Sequence, residues 1–515
     1  MTRIRTATVA ALAGIALVLS VLPGVDAQAP KRGGVLTLAR QGEATNLDPH
    51  KVPAFTSHRV FELVYSTLTR LGPELQVQPD LAESWTISPD GKQISFRLRA
   101  AKFHNGDPLT SADVKFTLER IMNADTKAVA RAWFGDIDKI EAPDPRTVTL
   151  QLKQPNVALL VYLAHPNTSI VSAKIAQAAG GDLSKKEHAV GSGPFRLAEW
   201  APDNFMRFEA FKEFYVPGQP FLDGVRINIV PDEAGLVAAL RTKAADVALI
   251  ADPRVAQTLS REAGVTVSAK PSLNYHLLFL NTKRKPLDNP KVRQAIAYAI
   301  DRKQIIDTVA LGSGDQTGPL PPSLTQYALP VGDYPSYRRD VGKARQLLQE
   351  SGAGPVSLTI LTQTTEPVYA KDIAQIVQQQ LGEAGIQVNI ELLEFGQWVQ
   401  RWLKADFDMA PGLNSGQPDP DFYLFRYFTN DGNLNFIHSW QNDASSDAIK
   451  RARTITDPAR RKELYATAQK ELVAGVPFVW LYVGRDYAGL LPSTKGFVHL
   501  PTGSIAYLRQ TWLDK

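Results

Sequence analysis

Between Val356 and Ile390 the hydrophobic period of the chain switches twice, and this switch limits the fold more than any other feature of the sequence. Val356, Leu358, Ile360 and Thr362 alternate as a strand, Ile373, Ile376, Val377 and Leu381 recur at helical spacing up to Gly385, and Ile386, Val388 and Ile390 alternate again. Strand, helix and strand in so short a span close as a right-handed parallel crossover, with the helix packed over the two strands it joins. The expected fold class is therefore α/β. Just upstream, Asp340 caps a helix with Ala344, Leu347 and Leu348 inside and Gly352 at its end.

The first part of the chain has a different texture. Trp85 and Ile87, the turn Ser88-Pro89-Asp90-Gly91, and Ile94, Phe96 and Leu98 alternating with Ser95, Arg97 and Arg99 predict a hairpin with one buried face. Phe103-His104-Asn105-Gly106-Asp107 predicts a second turn. Thr110 and Asp113 have capping-box spacing ahead of a helix whose Val114, Leu118 and Ile121 share a face. Val148, Leu150 and Leu152 form a further alternating strand. Later, Asn289-Pro290 and Asp457-Pro458 each place a cap residue before a proline at the first helical position.

Composition narrows the function classes. At 515 residues, 44% hydrophobic and 21% charged, the chain is long enough for two or three domains. Its net charge of +5 is spread without a Lys/Arg block, so no nucleic-acid partner is expected. There are no cysteines, which excludes disulfides, thiolate metal sites, cysteine nucleophiles and a lipid-modified anchor. Met1 to Ala29 reads as a secretory signal, with Arg3 and Arg5 ahead of an apolar core from Ala7 to Leu22, a break at Pro23-Gly24, and cleavage after Ala27. The competing reading, an uncleaved anchor, needs about 20 apolar residues, more than this run supplies. An exported chain without a lipid tether is expected in a Gram-negative periplasm.

No catalytic constellation emerges. The eight histidines are scattered without metal-ligand spacing, and neither Gly-x-Ser-x-Gly nor Ser-x-x-Lys occurs. Asp419 and Asp421 flank Pro420, which suggests turn chemistry more than acid/base work. The remaining inventory suits binding: Tyr275, Phe395, Trp398, Asn414, Ser415, Gln417, Asp419, Tyr423 and Asn435, with Phe436 and Trp440 nearby. Ligand sites are mostly apolar clefts with a few aimed polar groups. The bland alternative is that each aromatic is core, and Trp402 is read so. No metal and no cofactor is expected.

Several of these stretches together resemble the family 5 extracytoplasmic solute-binding proteins, the peptide- and nickel-binding group of ABC importers. The resemblance lies in the hairpin and Phe103–Asp107 turn, Ala112-Asp113-Val114, Leu47-Asp48-Pro49, Gly191-Ser192-Gly193-Pro194-Phe195, and the helix running from Asn289 to Arg302. It implies a periplasmic-binding-protein-like fold of two lobes joined by two hinge strands, near Tyr275 to Asn281 and Val479 to Arg485. Lobe I would hold 28–274 plus 487–515, with a subdomain at about 76–188, and lobe II 275–486. It also implies capture of a small solute, most readily an oligopeptide, by hinge closure, and delivery of that solute by a monomer to ABC permease subunits. Alternatives are a non-peptide solute such as an opine, oligosaccharide or metal chelate, a chemoreceptor ligand, or an exported hydrolase. Asn46, in the loop beside Leu47-Asp48-Pro49, is placed by the resemblance near the cleft mouth. In the dipeptide branch an Asp takes the ligand's amine and an Arg its carboxylate. The matching positions here fall on Gly416 and near Thr364, so both charged clamps are expected to be missing.

Overall fold

Two long strands, Thr266–Leu280 and Phe478–Leu490, run antiparallel through the middle of the molecule. The structure is a computed structural model that describes residues 29–363 and 369–515; the signal segment and the Thr364 position lie outside the described residues. At one end Leu490 pairs with Val247, and at the other Tyr275 pairs with Asn414. The two strands thus belong to both ends of one mixed sheet. On the first side of them lie Val247–Ile250, Val35–Arg40, Gly224–Ile229, Phe205–Ala210 and Phe195–Ala201, and on the second Met409–Asn414, Ser357–Thr362 and Gln387–Leu392. The register between the long strands slips between Pro271 and Tyr275. Pro271, with no N–H to donate, stands at this irregularity, where a proline costs the ladder least.

The crossover forms as its periodicity requires. Ser357–Thr362 pairs in parallel with Gln387–Leu392, and the helix Ala370–Glu383 between them buries Ile373, Val377 and Leu381. Gly385 takes a φ of +90° where the chain turns back, a conformation that favours glycine. The buried apolar faces of the Pro290–Ala299 helix and of this crossover merge into one core, including Leu278, Val292, Ile296, Ile360 and Val377. A separate core under the first side of the sheet contains Leu36, Leu38, Phe61, Val225 and Ile227.

The Gln93–Leu98 hairpin strand belongs to a separate four-stranded antiparallel sheet, in the order Ala82–Ile87, Gln93–Leu98, Thr147–Leu152, Ile137–Asp144. Ile94, Phe96 and Leu98 are buried as expected. Ile87 is not: it is 49% exposed, because its strand is the sheet edge and Ile87 is the last residue before the turn. The Thr110 capping box forms, with the Thr110 N–H donating to Asp113 Oδ2 at 3.0 Å. This small sheet shares a core with the second side of the molecule: Phe96, Leu118, Trp133 and Tyr162 are in one buried cluster with Phe422, Tyr427, Leu464 and Trp480.

Candidate ligand-binding cleft

The helix Phe55–Val64 is the base of the site, and two sequence motifs hold its end. A Cβ on Gly191 would meet Val64 O at 2.0 Å and one on Gly193 would meet Leu63 O at 2.5 Å, so only glycine lets this turn press on the helix terminus. The Phe103–Asp107 turn clamps the glycines from the other side, through His104 N–H donating to Gly191 O at 2.8 Å and His104 Nε2 lying 3.0 Å from Gly193 O. Burial holds the His104 imidazole down at about 4, hence neutral. The Gly-Ser-Gly-Pro-Phe segment is therefore a structural turn.

Along the helix, Phe55, His58, Arg59 and Glu62 recur at i, i+3, i+4 and i+7 and line a cavity. The cavity holds about 980 Å³ of atom-free space, counting its solvent-open mouth. The C-terminal segment supplies a second wall with Thr502, Ser504, Tyr507 and Arg509; Asp80, Tyr215 and His165 close the third; and Gly416 and Gln417 come across from the second side of the sheet. Arg509 Nη1 donates to Asp80 Oδ1 at 2.9 Å in a buried ion pair. Arg70 donates to Tyr507 Oη and Pro79 O, and Arg59 to Gly503 O. His58 is held near 4 and His165 well below its ordinary value, both by burial. Glu62 keeps some accessible surface, but that surface opens into the cavity; the carboxyl is otherwise enclosed by protein, and burial pushes it up to about 7. On the Phe478–Leu490 strand, Asp486 is pushed up to about 6 by burial, with the Arg59 charge opposing. The hydroxyls of Tyr215 and Thr502 are buried without a hydrogen-bond partner in the cavity wall.

Of the residues expected at the site, the cavity lining includes Gln417. Tyr275 and Tyr423 are fully buried and stacked at 5.6 Å, with Asn414 Nδ2 donating to Tyr275 Oη and Tyr423 Oη donating to Leu273 O. Asp419 caps the helix Pro420–Phe428 and pairs with Arg461 at 2.9 Å. Asn435 Nδ2 donates to Tyr427 O and Trp440 O, which fixes a turn. Asn46 Oδ1 accepts from Asp48 N–H at 2.8 Å, shaping the loop whose Asp48 pairs with Arg120. Ser415 is half-buried beside Gly416. Phe395 and Trp398 stack on one face of the Phe395–Leu403 helix, Trp398 Nε1 donating to Leu361 O at 3.2 Å, and Trp402 continues the stack.

Once the cavity, the shared strands and the clamped glycine turn are set side by side, comparison with known proteins decides the family. The model for bacterial extracellular solute-binding proteins, family 5, matches residues 76–435. The chain belongs to that family. It is 29% identical over 486 residues to the glutathione-binding protein GsiB of Escherichia coli O1:K1, covering 90% of this chain and 91% of the relative. It is likewise similar to AgaA of A. tumefaciens R10, solved with agropinic acid, at a TM-score of 0.83, 28% identity, and 94% and 99% coverage of the two chains. DppA of Helicobacter pylori, solved with the peptide STSA, gives a TM-score of 0.83 at 27% identity with the same coverage. This family 5 solute-binding protein thus has the two-lobe mixed α/β fold of the periplasmic peptide-binding proteins.

The charged lining escaped the sequence reading because it sits on a helix that looks merely amphipathic. The available signal was the polar run His58, Arg59 and Glu62 on the face of a helix whose other face, with Val60, Leu63 and Val64, is buried. Among the described residues no group of histidines and carboxylates is arranged to hold a metal, and no helix is long and apolar enough to cross a membrane.

Proposed function

We propose that the protein captures a small organic solute, an oligopeptide or a related compound, in the cavity between the Phe55–Val64 helix and Gly416–Gln417, and presents it to an ABC permease at the inner membrane. The observation that carries this is the composition of the cavity: its walls come from both sides of the two long strands, so a bound solute touches both only when they are close together. That differential contact is the free energy that moves the open–closed equilibrium, and no covalent step is needed. In this reading the strands Thr266–Leu280 and Phe478–Leu490 are the hinge, 28–274 plus 487–515 form one lobe and 275–486 the other, and the mature chain works as a monomer in the periplasm after cleavage behind Ala27. The relatives support a broad solute range, since glutathione, agropinic acid and a tetrapeptide are each named for one of them.

The expected absence of the amine clamp is supported by the packing around position 416. A Cβ at Gly416 would meet Tyr423 Oη at 1.9 Å and Leu273 O at 2.2 Å, so packing forbids a side chain there. Native mass spectrometry of protein purified gently from its own periplasm tests the reading: a retained organic solute that also shrinks the radius of gyration on rebinding supports it. A rigid particle unaffected by any recovered solute refutes it.

A further inference from the structure

The segment 76–188 has two seams with the rest of the molecule, and they are built differently. Against the first side of the main sheet it is fastened by well-aligned groups. Arg120 Nη2 donates to Asp48 Oδ2 at 2.6 Å and Nη1 to Asp48 Oδ1 at 3.1 Å, Val129 N–H donates to His50 O at 2.8 Å, and Asn167 Nδ2 donates to Pro49 O and Val52 O at 2.7 and 2.8 Å. Against the helices Pro420–Phe428 and Asp443–Thr454 of the second side, the Tyr162 hydroxyl donates to Asp421 Oδ2, Val157 N–H donates to Arg453 O at 3.1 Å, and Arg453 Nη2 donates to Trp133 O at 3.4 Å. Here the charges fit less well. Arg453 Nε lies 3.4 Å from Asp421 and 3.5 Å from Asp136, and both Arg453 Nε and Asp421 Oδ1 are buried without a hydrogen-bond partner. Trp133, Tyr162 and Phe422 shut over the cluster, none of them more than 4% exposed. None of these residues lines the ligand cavity. An ion pair closed off from water with part of its hydrogen-bonding capacity unused carries a desolvation cost that its own attraction does not return. Parting the second seam rehydrates Asp421 and Arg453 and removes that cost, whereas the stacked rings and the Tyr162 hydrogen bond favour contact. The two tendencies oppose each other at this seam, which is the condition for a contact that both forms and releases.

We propose that Tyr162, Asp421 and Arg453 form a releasable latch that holds the two lobes together without any solute, so that part of the population is closed before a solute enters. The inference rests on the hinge-closure reading above and goes beyond it, because in that reading the solute alone supplies the closing contacts. A neutral phenol hydroxyl donating to a carboxylate is a charge-assisted hydrogen bond, and burial together with the Asp421 charge keeps the Tyr162 proton in place. The affinity for a solute that binds the closed form scales with the fraction of protein already closed. Tyr162 therefore sets how strongly the protein captures, while the cavity sets what it captures.

The test is double electron–electron resonance on the mature protein dialysed free of solute. The chain has no cysteine, so cysteines introduced at the exposed Thr86, on the edge strand Ala82–Ile87, and at the exposed Lys462, on the helix Pro458–Gly475, place one spin label on each lobe. The otherwise wild-type chain is expected to give a short and a long distance population. Tyr162→Phe keeps the ring stack and removes the hydroxyl, and it is expected to lower the short-to-long ratio by about fivefold, the effect of one lost hydrogen bond, with an unchanged circular dichroism spectrum. Tyr162→Glu sets a second carboxylate against Asp421 and is expected to leave the long population alone. A wild type that shows the long population alone, or a Tyr162→Phe ratio equal to the wild type while Tyr162→Glu opens the molecule, overturns the latch and leaves capture by closure standing. If Tyr162→Glu fails to fold, Tyr162→Phe decides the latch by itself. If all three folded proteins give one and the same short distance, the lobes do not move, and the closure reading fails and takes the latch with it.

Discussion

At the scale of single residues, the fold stores buried groups in their uncharged forms. Burial lowers His50, His58, His104, His276 and His499 to about 4 and His438 to about 3. A group whose folded pKa lies below its unfolded value near 6.5 binds protons first in the unfolded chain, so stability is lost as pH falls from about 6.5 towards 4. Glu62 and Glu233, raised to about 7, and Asp486, raised to about 6, work the other way, costing stability as pH rises from the usual carboxylate range towards their folded values. The histidines are more numerous, so the urea midpoint is expected to be lower at pH 5 than at pH 7. An unchanged or higher midpoint at pH 5 would contradict the buried, neutral histidines. Gly416 gives a second residue-scale expectation. Gly416→Ala forces a methyl into Tyr423 Oη and Leu273 O and should cost about 1–3 kcal/mol in chemical denaturation, with weakened solute binding.

At the scale of elements, the most consequential contact lies away from the cavity. The helices Pro420–Phe428 and Asp443–Thr454 press on the region around Trp133 and Tyr162: Tyr162 Oη donates to Asp421, and the Val157 N–H donates to Arg453 O at 3.1 Å. Arg453 Nε lies 3.4 Å from Asp421 and 3.5 Å from Asp136, at ion-pair distance but not aligned for hydrogen bonding. Trp133 and Tyr162 stack at 5.3 Å, with Phe422 against both rings. Removing one member of such a pair leaves a buried charge without compensation, so Arg453→Met should destabilise by about 3–5 kcal/mol. Adding Asp421→Leu should recover part of that loss, because the stranded carboxylate goes with it. Equal additive losses in the double-mutant cycle would show that the two side chains are not coupled. The Thr110 cap is a smaller case, with Thr110→Ala expected to cost about 1 kcal/mol in the same assay.

At the scale of the whole molecule, the two long strands join the two sides of the main sheet, Phe478–Leu490 pairing with Val247–Ile250 and Thr266–Leu280 with Met409–Asn414. In the proposed closure a rotation of one half against the other would be absorbed in these strands, where the register slip between Pro271 and Tyr275 already interrupts the ladder. Small-angle scattering is expected to show a smaller radius of gyration with a bound solute than without. A disulfide engineered across the Gly416–Gln417 wall to the first helix should abolish that difference while it is oxidised and restore it on reduction.

The sequence by itself determined what local physics controls. Period switching dictated the Ser357–Leu392 crossover, the Thr110 box dictated a helix start, and alternation dictated the buried Ile94, Phe96 and Leu98, because each depends on neighbours within a few turns or one strand. The family was legible too, since its turns are short contiguous strings. The cavity was not. Tyr275, Trp398, Tyr423 and Asn435 look like ligand contacts in the sequence, yet their partners are Asn414, Leu361, Leu273 and Tyr427, found only after the chain has folded. Glu62, Asp80 and Arg509 meet across more than four hundred residues of chain, and nothing local tells which polar groups will face a cavity and which will face water. Burial and charge pairing at that distance are properties of the assembled sheet, and only the tertiary structure decided them.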